Sequence, residues 1–353
     1  MTRLTKKILS AVLAGAMVLA MGVSAFAADD APAEATLKKT LDIAEGVTVP
    51  GATFNFKVEE LSALDGEGDP TVSTGSTGFT QNVTISAADA AAESGKEVAL
   101  STIFENATFP HAGVYAYKIT EDAATYTAAE NETLTINTEG AEYTVIVEVK
   151  NGTDGVEVGQ ILIRDKDGEK TTSAEFNNKY EKKNTDDDKP LTISKTVAGS
   201  MGDKASKFSF TLTITKPEGA DDTSLTGVTG KIGDEDVTIA YGTPVTFKLK
   251  DGEELKVTGL LFGSKYQVVE AAEDATIQNY SQYETKVAVN GTNKDGKDSG
   301  ETLLTDTTDN TVAFTNTLDS IIPTGVIINN LPYMLMVAIA VAGVAYMQLK
   351  KRI

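Results

Sequence analysis

The chain has no cysteine, no tryptophan and a single histidine, His111, in 353 residues. Each absence closes a class of chemistry. Without cysteine there is no disulfide, no thiol nucleophile and no thiolate metal site. With one histidine, a site built on several imidazoles is excluded, and a Ser-His-Asp enzyme would depend on His111 alone. Positive charge is also scarce: 31 basic residues face 51 acidic ones, a formal net charge of −20. Arg3, Lys6, Lys7, Lys350, Lys351 and Arg352 sit in acid-free ends, so the middle of the chain carries −26 once those six charges are set aside. A surface that acidic repels phosphate backbones, which excludes nucleic acid as a partner.

Both ends read as targeting segments. Residues 1–27 have the build of a secretory signal: a basic start, an apolar run from Ile8, and Ala25-Phe26-Ala27 as a small-residue site cleaved after Ala27. Near the other end, Leu331–Leu349 is uncharged and mostly apolar. As a helix it would span about 28 Å, roughly one hydrocarbon core. The basic Lys350-Lys351-Arg352 beyond it would stay on the cytoplasmic side. Alone, this is a membrane anchor. Just upstream stands Ile322-Pro323-Thr324-Gly325, and the order of short motif, apolar span and basic tail over 320–353 resembles a sortase sorting signal of Gram-positive bacteria. The usual form is Leu-Pro-x-Thr-Gly; here the intervening residue is missing. The resemblance implies cleavage between Thr324 and Gly325, with the Thr324 carboxyl passed to an amine.

Between the ends the pattern predicts an all-β protein of two tandem Ig-like β-sandwich domains, over 28–183 and 191–319. Alternating runs such as Glu142–Lys150, Val156–Ile163 and Val245–Lys250 are separated by turn dipeptides, among them Asn151-Gly152, Asp167-Gly168, Asp251-Gly252 and Asn290-Gly291. The helical signal is confined to Ala87–Ala92. The charged stretch Glu181–Lys189, closed by Pro190, reads as a junction, with 184–190 as the linker. The Asp165-x-Asp167-Gly168 run lacks the downstream ligands of a calcium loop and reads as a turn, so no metal site and no cofactor are expected.

The two halves look like repeats of one unit. Thr36–Ile43 corresponds to Leu191–Val197, Phe54-Asn55-Phe56 to Phe208-Ser209-Phe210, Val114–Glu121 to Tyr266–Glu270, and Ala174–Tyr180 to Val312–Leu318. Each half thus has a Lys in its first strand, a Glu in a late strand and an Asn in its last. Residues two apart on a strand share a face. Lys39 then lies with Leu37 and Leu41, Lys195 with Ile193 and Val197, Asn178 with Phe176 and Tyr180, and Asn316 with Phe314 and Leu318. Glu121 aligns with Tyr117 and Ile119, and Glu270 with Tyr266 and Val268. All six polar side chains are expected to point into apolar cores.

Burial disfavours charge, lowering the proton affinity of a Lys and raising that of a Glu. A neutral amine beside an Asn carbonyl is a nucleophile beside an electrophile, with the Glu able to polarise the amide and relay protons. The product would be a Lys–Asn isopeptide bond and ammonia, formed once per domain. A buried Lys–Glu ion pair, or a Lys reaching to water from a strand end, accounts for the same pattern without a reaction.

The K-T-L-D, Y-K-I-T-E and F-N-N stretches of the first half, with T-I-S-K, Y-Q-V-V-E and F-T-N of the second, resemble the backbone (major) pilins of Gram-positive pili, whose domains are related to the collagen-adhesin B-type fold. The resemblance covers residues 36–325. It implies bonds Lys39–Asn178 and Lys195–Asn316, with Glu121 and Glu270 as the catalytic acids; Val269 departs from the usual Thr before the Glu. It also implies a further Lys, before the last strand of the first domain, that accepts the next subunit; Lys170 fits, with Lys179, Lys182 and Lys183 as rivals. The same resemblance implies a structural shaft subunit and not an enzyme: secreted, a transient membrane precursor, and then wall- or pilus-borne. Its partners would be a sortase and identical subunits joined covalently head to tail through Thr324, with room for minor pilins and peptidoglycan. A monomeric wall-anchored adhesin or stalk is the alternative.

Overall fold

Alternation decides which way each strand faces. In Phe208–Thr215, for example, Phe208, Phe210, Leu212 and Ile214 are buried while the residues between them are more open. The computed structural model describes residues 34–64, 69–122, 124–136, 142–220, 228–320 and 336–337. Ala27, Ile322, Pro323, Thr324 and Gly325, with all of 331–349 except Met336 and Val337, lie outside the described residues.

The first domain contains β1 (Thr36–Ile43), β2 (Thr53–Leu61), β3 (Val72–Ser73), β4 (Asn82–Ser86), β5 (Lys96–Ala99), β6 (Gly113–Glu121), β7 (Glu132–Ile136), β8 (Glu142–Gly152), β9 (Gly155–Arg164), β10 (Lys170–Thr171) and β11 (Ser173–Lys182). They form one sheet in the order β5-β1-β11-β7 and a second in the order β10-β9-β8-β6-β2-β4, with β3 added beside β6. The second domain contains β12 (Leu191–Ala198), β13 (Phe208–Thr215), β14 (Val228–Ile232), β15 (Glu235–Ile239), β16 (Val245–Leu249), β17 (Glu254–Val257), β18 (Lys265–Glu270), β19 (Glu284–Val289), β20 (Thr292–Asp295), β21 (Thr302–Leu303) and β22 (Asn310–Thr317). Its sheets run β15-β14-β17-β12-β22-β19-β20 and β16-β13-β18-β21. Each domain is a β-sandwich whose two sheets enclose one apolar core.

Helix is sparse, as the composition implies, but not confined to the expected place. Ala87–Ala90 is a single turn capped by Ser86, and a second turn forms at Leu100–Ile103. A 3₁₀ turn at Tyr280–Gln282 was not legible either. At Asn290-Gly291, which joins β19 to β20, both residues have positive φ, the geometry that a two-residue hairpin demands.

In each domain the first and last strands are parallel neighbours: β1 with β11, and β12 with β22. A parallel pair requires a long crossover, and here the remainder of the domain supplies it. The chain therefore enters a domain at one end of this pair and leaves at the other.

The expected linker is packed rather than free. Asn184 is buried; its backbone N–H donates to the Leu260 carbonyl, its side-chain Nδ2 to that of Val257, and its Oδ1 accepts from the Leu260 N–H. Lys183 bridges to Leu261. Across the joint, Asp306 accepts from both the N–H and the hydroxyl of Thr48 at 3.0 and 2.9 Å, and Lys182 reaches Asp188 at 2.8 Å and Asp306 at 3.4 Å. Val47 packs against both cores.

Candidate functional site: two buried Lys-Glu-Asn centres

The same register builds both centres. Lys39 stands opposite Phe176 in the β1–β11 pair, and Asn178 comes two residues on, on the same face. Lys195 stands opposite Phe314 in the β12–β22 pair, with Asn316 two residues on. From the facing sheet, Glu121 is registered opposite Phe56 and Glu270 opposite Phe210. Two strands of one sheet thus present the amine and the amide, and a strand of the other sheet presents the carboxylate.

All six side chains are removed from water: Lys39, Asn178, Lys195, Glu270 and Asn316 are at most 2% exposed, and the Glu121 side chain is 1% exposed. The orientation expected from strand parity holds for each. Asn177 and Lys38, the neighbours read as outward, are exposed and half-exposed respectively.

In the first centre Lys39 Nζ lies 2.9 Å from Glu121 Oε1 and 3.0 Å from Oε2, and Asn178 Nδ2 donates to Oε1 at 2.7 Å. In the second, Lys195 Nζ lies 3.1 Å from Glu270 Oε2 and Asn316 Nδ2 donates to Oε1 at 2.5 Å. One carboxylate therefore bridges amine and amide in both. Aromatic faces close the sites: Lys39 Nζ is 4.5 Å from the Phe54 ring centre, and Lys195 Nζ is 4.2 Å from that of Phe208. These rings exclude water and offer only weak compensation for a charge.

Desolvation lowers Lys39 from its ordinary 10.5 to about 8 against the opposing pull of Glu121. It lowers Lys195 to about 8 as well, against Glu270, with the Lys297 charge adding to the fall. Each amine can therefore shed its proton far more readily than an exposed Lys.

The second centre has partners that sequence reasoning did not identify. Tyr280 is buried, and its hydroxyl reaches Glu270 Oε1 at 3.0 Å and also the Ala271 carbonyl. Lys297 Nζ lies 4.0 Å from the centre of the Tyr280 ring. Two buried side-chain oxygens have no hydrogen-bond partner among the described residues, Thr285 Oγ1 and Asn316 Oδ1. Thr285 and Asn316 are directly opposite each other in the β19–β22 pair. In the first centre the residue opposite Asn178 is Ile136, which has no hydroxyl. Tyr280 had no signal in strand periodicity, whereas Thr285 shares the parity of Val287 and Val289 in an alternating run.

Lys170 is exposed at the start of β10, opposite Arg164, and comes after a turn in which Asp165 accepts from the N–H groups of Asp167 and Glu169. Its rivals are differently placed. Lys179 donates to the Gly219 carbonyl and pairs with Glu181, while Lys182 is engaged at the domain joint. His111 stands at the surface, away from both centres, where its ring nitrogen meets the Ala112 carbonyl. Among the described residues no cluster of His, Asp and Glu could hold a metal ion.

Both sandwiches thus enclose a Lys, a Glu and an Asn on one shared register. Residues 35–181 match FctA, the Spy0128-like isopeptide containing domain, and the first domain belongs to that family. Residues 189–318 match a domain of unknown function, DUF7601. The chain is 28% identical to a pilin of Streptococcus pyogenes serotype M1 over 327 residues, 90% of this chain and 91% of that one, and is homologous to it. A 135-residue stretch is 38% identical to the pilus tip adhesin Cpa of Streptococcus pyogenes and spans 18% of that protein. Among solved structures, the major pilin from Streptococcus pyogenes aligns over 82% of this chain and 99% of its own, with 26% identity and a TM-score of 0.36.

Proposed function

We propose that this pilin homologue is the shaft subunit of a sortase-assembled pilus, and that each domain closes itself with a Lys–Asn isopeptide bond. The observation that carries the second part is the repetition of one register: amine, carboxylate and amide are brought together twice in the same way. A structural ion pair needs no buried Asn on the carboxylate, whereas the reaction does.

The step balances without a cofactor. The neutral Nζ of Lys39 attacks Cγ of Asn178, a C–N bond forms, and the bond from Cγ to Nδ2 breaks. One Nζ proton passes to Glu121, which returns a proton to Nδ2, and ammonia leaves. Lys195, Glu270 and Asn316 act likewise. The charges whose burial is costly are thereby consumed. A bond between first and last strands encloses a loop of more than a hundred residues, a constraint worth about 5 kcal/mol on chain-entropy grounds.

Strand polarity gives the subunit a head and a tail. The Thr172 carbonyl accepts from the Thr36 N–H, so Lys170 lies by the start of β1, and the other ends of β1 and β11 meet the second domain. In the second domain, β12 and β22 begin at the joint, where Asn310 donates to the Lys189 carbonyl, and run away from it to the Leu318–Ala198 hydrogen bond. Ser320, the last described residue before Thr324 in the sequence, therefore stands at the end of the second domain opposite the joint. A head-to-tail fibre joins that Thr324 carboxyl to Lys170 of the next subunit, and tension runs along the strands through both internal bonds.

Intact-mass measurement of the mature chain, from Ala28 to Thr324, tests the bonds: it should fall two ammonia molecules below the calculated value, and full mass refutes them. Lys170→Arg tests the linkage. It should abolish the high-mass ladder of wall extracts in boiling detergent while leaving both internal bonds. A ladder that survives moves the acceptor elsewhere, and the absence of any ladder in the parent favours the wall-anchored monomer.

A further inference from the structure

An attack on an amide carbon drives negative charge onto its oxygen, and that oxygen needs a hydrogen-bond donor. In the second centre the relay carboxylate does not supply one. Glu270 Oε2 faces Lys195 Nζ and Oε1 faces Asn316 Nδ2 and the Tyr280 hydroxyl. Asn316 Oδ1 is left buried and unpartnered, a costly state for a carbonyl in a sandwich core. The other buried orphan among the described residues, the Thr285 hydroxyl, belongs to the residue directly opposite. Thr285 is on the core-facing parity of β19, with Val287 and Val289.

We propose that the Thr285 hydroxyl is the donor that stabilises the oxyanion forming on Asn316 Oδ1, so that Thr285 is a catalytic residue of the second centre alone. The inference rests on the isopeptide reading above and deepens it. Side chains directly opposite in an antiparallel pair have Cβ atoms about 4.5–5.5 Å apart, within the reach of one rotation about the Thr285 Cα–Cβ bond. Before reaction, the two groups lack partners; as Lys195 Nζ bonds to Cγ, the hydroxyl finds the one acceptor whose charge is growing. It gives up no proton: the tetrahedral oxyanion collapses back to the carbonyl as the bond to Nδ2 breaks and ammonia leaves. In the first domain Ile136 occupies the corresponding position, so this donor is a property of the second domain.

The test is a time course of ammonia loss. The full chain carrying Glu121→Ala, in which only the second centre can react, is made by cell-free synthesis, quenched at intervals and weighed intact. Thr285→Val is nearly isosteric and removes an orphaned buried hydroxyl, a change that is neutral or favourable for folding. A merely structural Thr would therefore give an unchanged or faster reaction. The expected result is a rate lower on the order of tenfold to a hundredfold at every pH, with the shape of the pH profile unaltered because a hydroxyl does not titrate there. Thr285→Ser should restore most of the rate. An unchanged rate in Thr285→Val, or a Ser variant as slow as the Val one, overturns the role of Thr285 and leaves the bond itself intact. Absence of ammonia loss from the Glu121→Ala parent overturns the bond in the second domain and this inference with it.

Discussion

The two centres share a register but differ in their furnishing. In the first, the Lys39 amine straddles both oxygens of Glu121, Asn178 shares one of them, and an Ile stands across from the amide. In the second, Lys195 is confined to one oxygen of Glu270, while Asn316 and Tyr280 crowd the other and a Thr stands across from the amide. The common part is what places an amine, an amide and a carboxylate in contact. The differing part bears on how the groups are held and how charge is absorbed. Repeats of one fold can therefore keep a chemical core while the strand next to it changes its contribution.

The comparison is broken most severely by removing a relay. Glu121→Ala and Glu270→Ala should each retain one ammonia in intact mass, and calorimetry should find the affected domain weaker by about 5 kcal/mol from the lost constraint. If either variant still loses both molecules, its carboxylate is not the relay of that centre.

The next test asks whether the two amines are equally strained by burial. In Asn178→Ala and Asn316→Ala the Lys has no amide to join and stays a free amine beside its Glu. The folded Lys is lowered to about 8 while the unfolded one titrates near 10.5. Between these values the unfolded chain binds more protons, so stability rises as pH rises from about 8 to 10.5, and the full cost of the buried charge is present below that window. The gain should be about 3 kcal/mol in each domain by chemical denaturation. A flat profile across that range contradicts the burial argument. Lys297→Met should reduce the gain in the second domain only, since its charge helps to lower Lys195.

A smaller effect tests whether the domains are independent at all. Asp306 is nearly buried at the joint, where it holds Thr48 and Lys182 of the first domain. Asp306→Ala should cost about 2 kcal/mol and separate one calorimetric transition into two. An unchanged thermogram would mean that the cores were never coupled through this contact. Smallest is Tyr280→Phe, which keeps the ring against Phe208 and deletes the hydroxyl from Glu270. It should destabilise the second domain by about 1 kcal/mol and leave the first untouched.

Much of this was readable because strand parity is rigid. A period of two leaves a Lys between Leu37 and Leu41 no choice but to face the core, and it did the same for Asn178 beside Phe176 and Asn316 beside Phe314. The charged stretch around 184–190 misled, because composition reports polarity and not partners. Asn184 and Lys182 are polar, yet Leu260, Val257, Asp188 and Asp306 satisfy them in a packed joint. Phe54 and Phe208 were visible as repeat markers, but nothing local said that their rings would lie under the two amines.

Local patterning, then, settled which side chains enter each core, since an alternating strand can bury only one face. It left open which strands are neighbours, because pairing depends on contacts between segments far apart in the chain and on chain crossovers that no window of residues contains. That choice made β1 parallel to β11 and β12 parallel to β22, set Glu121 and Glu270 across from them, and put Thr285 rather than an aliphatic residue opposite Asn316. Residue identity supplied an amine, an acid and an amide in each half; tertiary packing decided that they would meet without water.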